Sequence, residues 1–227
     1  MQWRAILRLP IIRVASLACA RRLDAPFEEV SPPQGVTIRV ATTGDAPRLA
    51  AAMAGSEFRG SRLGVDDVAR RFAGGDACVI AEAGEQVAYL SWIKFTDASM
   101  RRNGVEVPLR PDEAYIDAVF AMPSYRGQGL ATAVAAARLT YLRDRGVKVA
   151  FGWVAPHNTP IIRVLQRAGY RIVGSISQLI WQVGSRTPML NVVVAIDSAG
   201  ADPSLQLCTP ERVRCRTGLV IYRRRPA

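Results

Sequence analysis

The nonapeptide PSYRGQGLA, Pro123 to Ala131, decides how this chain is read. Upstream lies EAYIDAVFAM, Glu113 to Met122, whose β-branched and aromatic residues spell a strand. Downstream, Leu130, Val134, Ala137 and Tyr141 recur at helical spacing, with Arg143 and Arg145 in the last turn and Gly146 as the stop. A strand entering a helix through Gly127 and Gly129 leaves the N–H groups of Gly127, Gln128, Gly129, Leu130 and Ala131 at a helix N-terminus, where glycine permits close approach. Such a turn is an anion cradle, or else a plain strand-to-helix turn that needs glycine for its dihedrals. A dinucleotide fingerprint would need a third glycine where Thr132 stands, and a P-loop would need Gly-Lys-Ser/Thr; the stretch has neither. Arg126 beside the donors suits a diphosphate, which takes both a cation and backbone N–H groups.

Working outward, VKVAFGWV is a further strand, with Val147, Val149, Phe151 and Trp153 on one face. NTPIIRVLQRAG reads as a short helix capped by Asn158 or Thr159, with Pro160 in its first turn and Gly169 at its end. Upstream, VTIRVAT from Val36 opens the pattern as a strand, GDAPRLAAAM follows as a helix with Asp45 as N-cap candidate, and GVDDVARRFAGG is a second short helix. ACVIAEAGEQVAYLSWIKF forms a hairpin across Gly84 and Glu85. YRIVGSISQLIWQV and a last strand, LNVVVAI or GLVIYRR, complete the order. One strand, two helices, three strands, then helix, strand, helix and strands describe an α+β fold: a mixed, mostly antiparallel sheet flanked by helices. The chain divides into a basic, apolar N-terminal extension and linker at 1–35, a domain at 36–182, and C-terminal strands with a basic tail at 183–227.

The formal charge of +11 sits at the ends. Residues 1–23 hold five arginines and no acid, and residues 210–227 hold six arginines against Glu211. The middle is nearly neutral, and lysine contributes only Lys94 and Lys148 to the 30 basic residues, so nucleic-acid binding is discounted. The N-terminal stretch lacks a clean apolar run because Arg8, Pro10 and Arg13 interrupt it, and no segment reaches the roughly 20 apolar residues of a membrane span. It reads either as an interfacial anchor, with Trp3, Ile6, Leu7, Ile11 and Ile12 toward acyl chains, or as an extension packed on its own domain or a partner. The expected location is cytoplasmic, with peripheral contact of the basic ends to an anionic inner membrane face or an acidic protein. Cys19, Cys78, Cys208 and Cys215 show no C-x-x-C spacing and His157 is the one histidine, so no metal site is expected and the cysteines read as reduced.

YIDAVFAMPSYRGQGLATAV followed by HNTPIIRVLQRAGYRIVG resembles the cofactor half of the GCN5-related N-acetyltransferases, the GNAT superfamily, over about 36–182. The family's Arg/Gln-x-x-Gly-x-Gly/Ala pattern falls on Arg126, Gly129 and Ala131. The resemblance implies a GNAT-like acyl-CoA N-acyltransferase fold and acetyl-CoA as acyl-donor cosubstrate. Its pyrophosphate would lie on the N–H groups of Arg126, Gly127, Gln128, Gly129, Leu130 and Ala131. Its pantetheine would run along the backbone of Val119 and Ala121, and Asn158 matches the asparagine that contacts the arm.

Acyl transfer to an amine needs a neutral nucleophile, and an alkylamine is almost wholly protonated at pH 7. By period two, Glu113, Tyr115, Asp117, Val119 and Ala121 share a strand face, which puts Asp117 beside the expected pantetheine contact. Asp117 also matches a position where several family members carry a glutamate base. It is the base candidate, with Glu113 next and a structural or clamp role as the alternative. The family's usual proton donor to the thiolate is a tyrosine where this chain has Leu165, so His157 and Tyr170 are the local substitutes, or the thiolate leaves unassisted. The leading expectation is an N-acetyltransferase moving acetyl from acetyl-CoA to a primary amine of a small molecule or peptide. The alternatives are a longer-chain acyltransferase using acyl-CoA or acyl carrier protein, and a non-catalytic acyl-CoA-binding sensor or scaffold. The segments expected to shape the acceptor pocket, Glu57–Asp67 and Asp97–Asp112, carry no recognisable motif.

Overall fold

The computed structural model describes residues 11–54, 64–98, 105–181, 190–197, 205–215 and 218–224. Trp3, Ile6 and Leu7 of the expected anchor, and parts of both segments expected to shape the acceptor pocket, lie outside the described residues.

The elements in chain order are β1 (Ile11–Arg22), β2 (Val36–Val40), α1 (Ala46–Ala54), α2 (Val65–Ala73), β3 (Ala77–Ala83), β4 (Gln86–Lys94), β5 (Val105–Glu106), β6 (Glu113–Ala121), α3 (Leu130–Asp144), β7 (Val149–Val154), α4 (Thr159–Arg167), β8 (Arg171–Trp181), β9 (Leu190–Asp197), β10 (Arg214–Cys215) and β11 (Gly218–Arg224). Among the described residues nine strands form one sheet in the order β11-β9-β8-β1-β7-β6-β4-β3-β2, and β5 pairs with β10 apart from it. The pairs β6–β7 and β9–β11 are parallel and the rest antiparallel, so the sheet is mixed as the sequence predicts. Leu130, Val134, Leu139 and Leu142 of α3 and Leu165 of α4 pack with Val79, Ile93 and Ile116 in the core on one face. On the other face, Leu49 and Val68 of α1 and α2 meet Ile80, Leu90 and Trp92. Leu205, Leu207 and Val213 cover Phe151, Val173 and Val193 further along.

Local chemistry sets the helix starts. Asn158 caps α4 by accepting a hydrogen bond from Ile161 N. Before α1, Thr42 is the N-cap of a 3-10 turn, Thr43–Asp45, and Asp45 lies inside that turn. Asp45 accepts from Thr42 N at 2.8 Å and takes both Arg39 Nη groups at 2.8 and 2.7 Å. That fork holds the Asp45 carboxyl far below the usual carboxylate range.

The boundaries drawn from sequence are corrected at both ends. Residues 11–22, assigned above to an appendage, are β1, inserted between β7 and β8 and antiparallel to both. Leu17 and Cys19 join the α3–α4 core, whereas Ala18 and Ala20 enter the opposite core, so the run alternates as a strand buried on both faces does. Arg21, near the end of this strand, is buried and donates to the carbonyls of Ala168 and Pro26. At the other end β9 and β11 extend the same sheet, and Arg212 of the basic tail is buried against Glu113. Among the described residues no helix is long and apolar enough to cross a membrane.

Candidate functional site

The glycine turn has the geometry of a cradle. A 3-10 turn at Pro123–Tyr125 leads into Gly127 and Gly129 at φ +77° and +80°, and Gly129 is the N-cap of α3. These left-handed conformations suit glycine, and a Cβ built on either residue would meet nothing within 4 Å, so the concavity is open. The N–H groups of Gly127, Gln128, Gly129, Leu130 and Ala131 donate to no backbone carbonyl among the described residues; of the expected donors, Arg126 N is taken by Pro123 O at 3.3 Å, and past the cradle Thr132 N donates to Gly129 O at 3.1 Å. No acid occupies the first turn of α3. Leu130 is buried and anchors the helix start, Gln128 Nε2 braces the turn on Ser124 O at 3.0 Å, and exposed Arg126 leans on Ala121 O through Nε at 3.3 Å. Outward donors, a helix N-terminus and a guanidinium together fit a diphosphate.

Beside the cradle the sheet opens. β6 and β7 pair only from Glu113–Ile116 with Val149–Gly152, and beyond that the two strands part. A cavity of about 220 Å³ fills the gap, bounded by β6 at Ile116 and Val119, by β7 at Gly152 and Val154, and by α3 and α4. Ala131, at the end of the cradle, and Asn158, at the start of α4, both line it. Ala121 is half-buried just outside the lining, in register with Tyr89. Among the described residues the β7-facing edge of Val119 and Ala121 has no ladder partner, so its backbone groups can serve an extended amide-bearing chain.

The same strand departs from period two. Between the pairs Ser91–Val119 and Ile93–Ile116, β6 carries one extra residue, a bulge at Asp117 and Ala118. Tyr115 therefore faces one core, while Val119 and Ala121 face the other together with Ile116. The expected common face of Glu113, Tyr115, Asp117, Val119 and Ala121 is not formed. Glu113, 1% exposed, accepts from Arg212 Nη1 at 3.0 Å and from Arg110 N at 2.9 Å, away from the cavity. Asp117 does line the cavity, at the bulge, and its Oδ2 takes Arg71 Nη2 of α2 at 2.6 Å. Arg71 also bonds Asp76 at 2.9 Å and lies 4.2 Å from the Trp92 ring.

The two candidate proton donors do not reach the cavity lining. His157 is exposed in the turn before α4, where its carbonyl accepts from Thr159 N. Tyr170 is buried, its hydroxyl has no hydrogen-bond partner, and burial raises its pKa. Leu165 faces the cavity.

Sequence reasoning missed two polar cavity residues, Arg138 and Tyr89. Arg138 is 3% exposed and its Nη1 donates to Ser91 Oγ at 2.8 Å. Burial pushes the Tyr89 hydroxyl up to about 12, against the opposing charge of Arg138. The signal for Arg138 was available: it stands four residues after Val134, on the stripe that packs, in a helix whose other buried positions are alanine, valine and leucine.

A family model described as Acetyltransferase (GNAT) family matches residues 53–170. Among solved structures, a GCN5-related N-acetyltransferase from Sphaerobacter thermophilus is similar with a TM-score of 0.57 at 17% identity, over 78% of this chain and 56% of that one. A protein from Novosphingobium aromaticivorans described as a GNAT-family acetyltransferase gives 0.55 at 18% identity, over 75% and 65%. A GNAT-family acetyltransferase from Colwellia psychrerythraea gives 0.55 at 13%, over 74% and 56%. The chain thus covers less than two thirds of the length of each, and at these identities the likeness speaks for the fold alone. No curated protein matches the sequence.

Proposed function

The chain belongs to the GNAT acetyltransferase family, whose model covers more than half of it, and from that premise we propose that it transfers an acyl group from a coenzyme A thioester to a primary amine. The observation that carries this reading is the continuity of the N–H cradle with the cavity between the parted strands, through Ala131. One end offers donors for a diphosphate and the other a channel edged by strand backbone that has no ladder partner among the described residues, which is the order of parts in the thioester. Acetyl-CoA is the donor the family name implies and the one to try first. An acyl carrier protein would bring one phosphate where the cradle suits two.

Within this reading, Gly127 to Ala131 and Arg126 hold the diphosphate, while the edges of Val119 and Ala121 and the side chain of Asn158 position the arm. The reacting carbonyl then sits at the β6 bulge, beside Asp117. Arg71 occupies one oxygen of Asp117, which leaves Oδ1 to accept from the amine. An alkylammonium is too weak an acid to hand its proton directly to a carboxylate, so the amine must arrive neutral. Asp117 therefore orients an amine that arrives neutral and receives its proton, through water, as the C–N bond forms and the ammonium acidifies. As the C–S bond breaks, the thiolate leaves toward a wall that holds Leu165 in place of a proton donor. A thiol of ordinary pKa near 8.5 is a competent leaving group without one.

Isothermal calorimetry with free coenzyme A, followed by thiol-release assays of acetyl-CoA with an amine panel, tests the proposal. Binding with turnover on at least one amine supports it. Binding without turnover on any amine would favour the sensor reading, and no binding would remove both.

A further inference from the structure

Among the described residues three arginines are buried, Arg21, Arg138 and Arg212, and of these only Arg212 meets an acid. Arg212 lies against Glu113, and Arg21 is bonded to the carbonyls of Ala168 and Pro26. Arg138 is equally buried and meets neutral groups: Nη1 donates to the Ser91 hydroxyl at 2.8 Å, and Nε, like that of Arg21, has no partner. No carboxylate among the described residues pairs with it, and the acid that lines the same cavity, Asp117, is held by Arg71. A buried guanidinium left this way carries a desolvation penalty that proteins ordinarily offset with an anion.

The surroundings are built for one. Tyr89 lines the cavity with Arg138, and the buried Tyr170 hydroxyl lies beside the same guanidinium. Ser91 lies opposite Val119 in the sheet, next to the bulge at Asp117 and Ala118, so the guanidinium is tethered beneath β6 close to where the acyl carbonyl is expected. Along α3, Ala131, Ala135 and Arg138 all line the cavity, at i, i+4 and i+7. Two alanines keep the passage open as far as the arginine. With Nη1 engaged, the Nε–Nη2 edge of the fork remains, and that edge matches the two oxygens of a carboxylate. From the Gly129 cap to Arg138 the helix rises about 14 Å, so the arginine sits deep in the cleft, far from the diphosphate end.

Resting on the acyl-CoA reading above, we propose that Arg138 receives a carboxylate at the far end of the acyl group, and that the preferred donor is the coenzyme A monothioester of a short dicarboxylic acid. The chemistry of transfer is unchanged. The amine nitrogen bonds to the thioester carbonyl carbon, the C–S bond breaks, coenzyme A leaves as thiolate and takes up a proton, and the amide product keeps its free carboxylate. A neutral acyl chain would leave the guanidinium uncompensated, and a pantetheine amide offers it a neutral acceptor only.

The test uses the full chain and calorimetry. Free coenzyme A is titrated first; if it does not bind, the acyl-CoA reading falls and this inference with it. Malonyl-, succinyl- and glutaryl-CoA are then compared with neutral butyryl- and pentanoyl-CoA. At least one dicarboxylic thioester is expected to bind about 10- to 100-fold more tightly than its neutral counterpart, the range of a charge-assisted hydrogen bond. Arg138→Gln should abolish that ratio while leaving the affinity for free coenzyme A in place. Should Arg138→Gln fail to fold, Ala135→Leu, which narrows the passage to the arginine, is expected to reduce the same ratio. Coenzyme A binding with no preference for any dicarboxylic thioester in the unaltered protein would overturn the inference and leave the acyltransferase reading standing. A preference that survives both Arg138→Gln and Ala135→Leu would overturn it equally, because the charge would be read elsewhere.

Discussion

Replacing Gly129 by glutamate isolates the cradle from everything else in the fold. Gly129 sits at φ +80°, where an L-residue costs about 1–2 kcal/mol, but a Cβ there would meet nothing within 4 Å, so no clash adds to the strain. A carboxylate at a helix N-terminus returns about 0.3–1 kcal/mol, and the folded state should therefore lose little. The ligand loses far more. Each N–H bond to a charged phosphate is worth about 1.5–3 kcal/mol, so blocking two of them costs about 3–6 kcal/mol, or roughly 10²- to 10⁴-fold in Kd before charge repulsion is counted. Gly35→Glu is the matched control: Gly35 lies before β2 at φ +76°, again with nothing within 4 Å, so it carries the same strain outside the cradle. Calorimetry with free coenzyme A on the three proteins, with urea melts alongside, gives both quantities. Equal affinity of Gly129→Glu and Gly35→Glu would refute the cradle, whatever their stabilities.

Asp117→Asn should leave coenzyme A affinity unchanged and lower kcat about 10²- to 10⁴-fold if Asp117 takes the amine proton, whereas a pure clamp would raise KM with kcat preserved. Arg71 keeps its bond to Asp76 in that variant, so the fold is expected to survive, and circular dichroism checks it. Gly169→Ala should destabilise the protein by about 2–5 kcal/mol, because the new Cβ would coincide with the Arg21 guanidinium and the residue is at φ +78°. A double-mutant cycle with Arg21→Ala in urea should then show non-additivity; additive losses would mean the two residues do not meet. The Asp45 carboxyl is depressed by Arg39, so its stabilisation is present above the unfolded value near 3.9 and fades as pH falls through the folded one. The stability gap between the parent and Asp45→Asn should thus be constant above about pH 5 and shrink below pH 4, and a gap independent of pH would show that the Arg39 fork contributes nothing.

What the sequence made legible was local. The glycine turn, the Asn158 cap, the hairpin at Gly84 and the helix ends at Gly146 and Gly169 each rest on the conformational needs of a few adjacent residues, and these needs are written in the residue types. The bulge at Asp117 was not legible because it is a property of pairing: β6 gains a residue relative to β4, and nothing in EAYIDAVFAM marks which partner it will have. That single unpaired residue separates Glu113 and Tyr115 from Val119 and Ala121, and so decides which acid reaches the cavity. Arg138 was passed over for the opposite reason. Its position on the packed stripe was readable, but a charged residue in a helix is ordinarily solvated, and only its environment shows otherwise.

The N-terminal strand shows how a distant segment can make the site. β7 shares only four paired positions with β6, and the parting of the two is what opens the cavity. A strand held so briefly on one edge needs its other edge fixed, or the gap would close or fray. β1 supplies that edge, with Leu17 to Arg22 in register with Val154 to Val149 along the whole of β7. Its Arg21 then reaches the carbonyl of Ala168 just past α4, the helix that forms the cavity's far wall. The arginine-rich run that resembles an anchor in one dimension therefore acts in three as the clamp for β7 and α4. Its charge is spent on a helix end, and the cleft keeps its width because a segment more than a hundred residues upstream of β7 lies beside it.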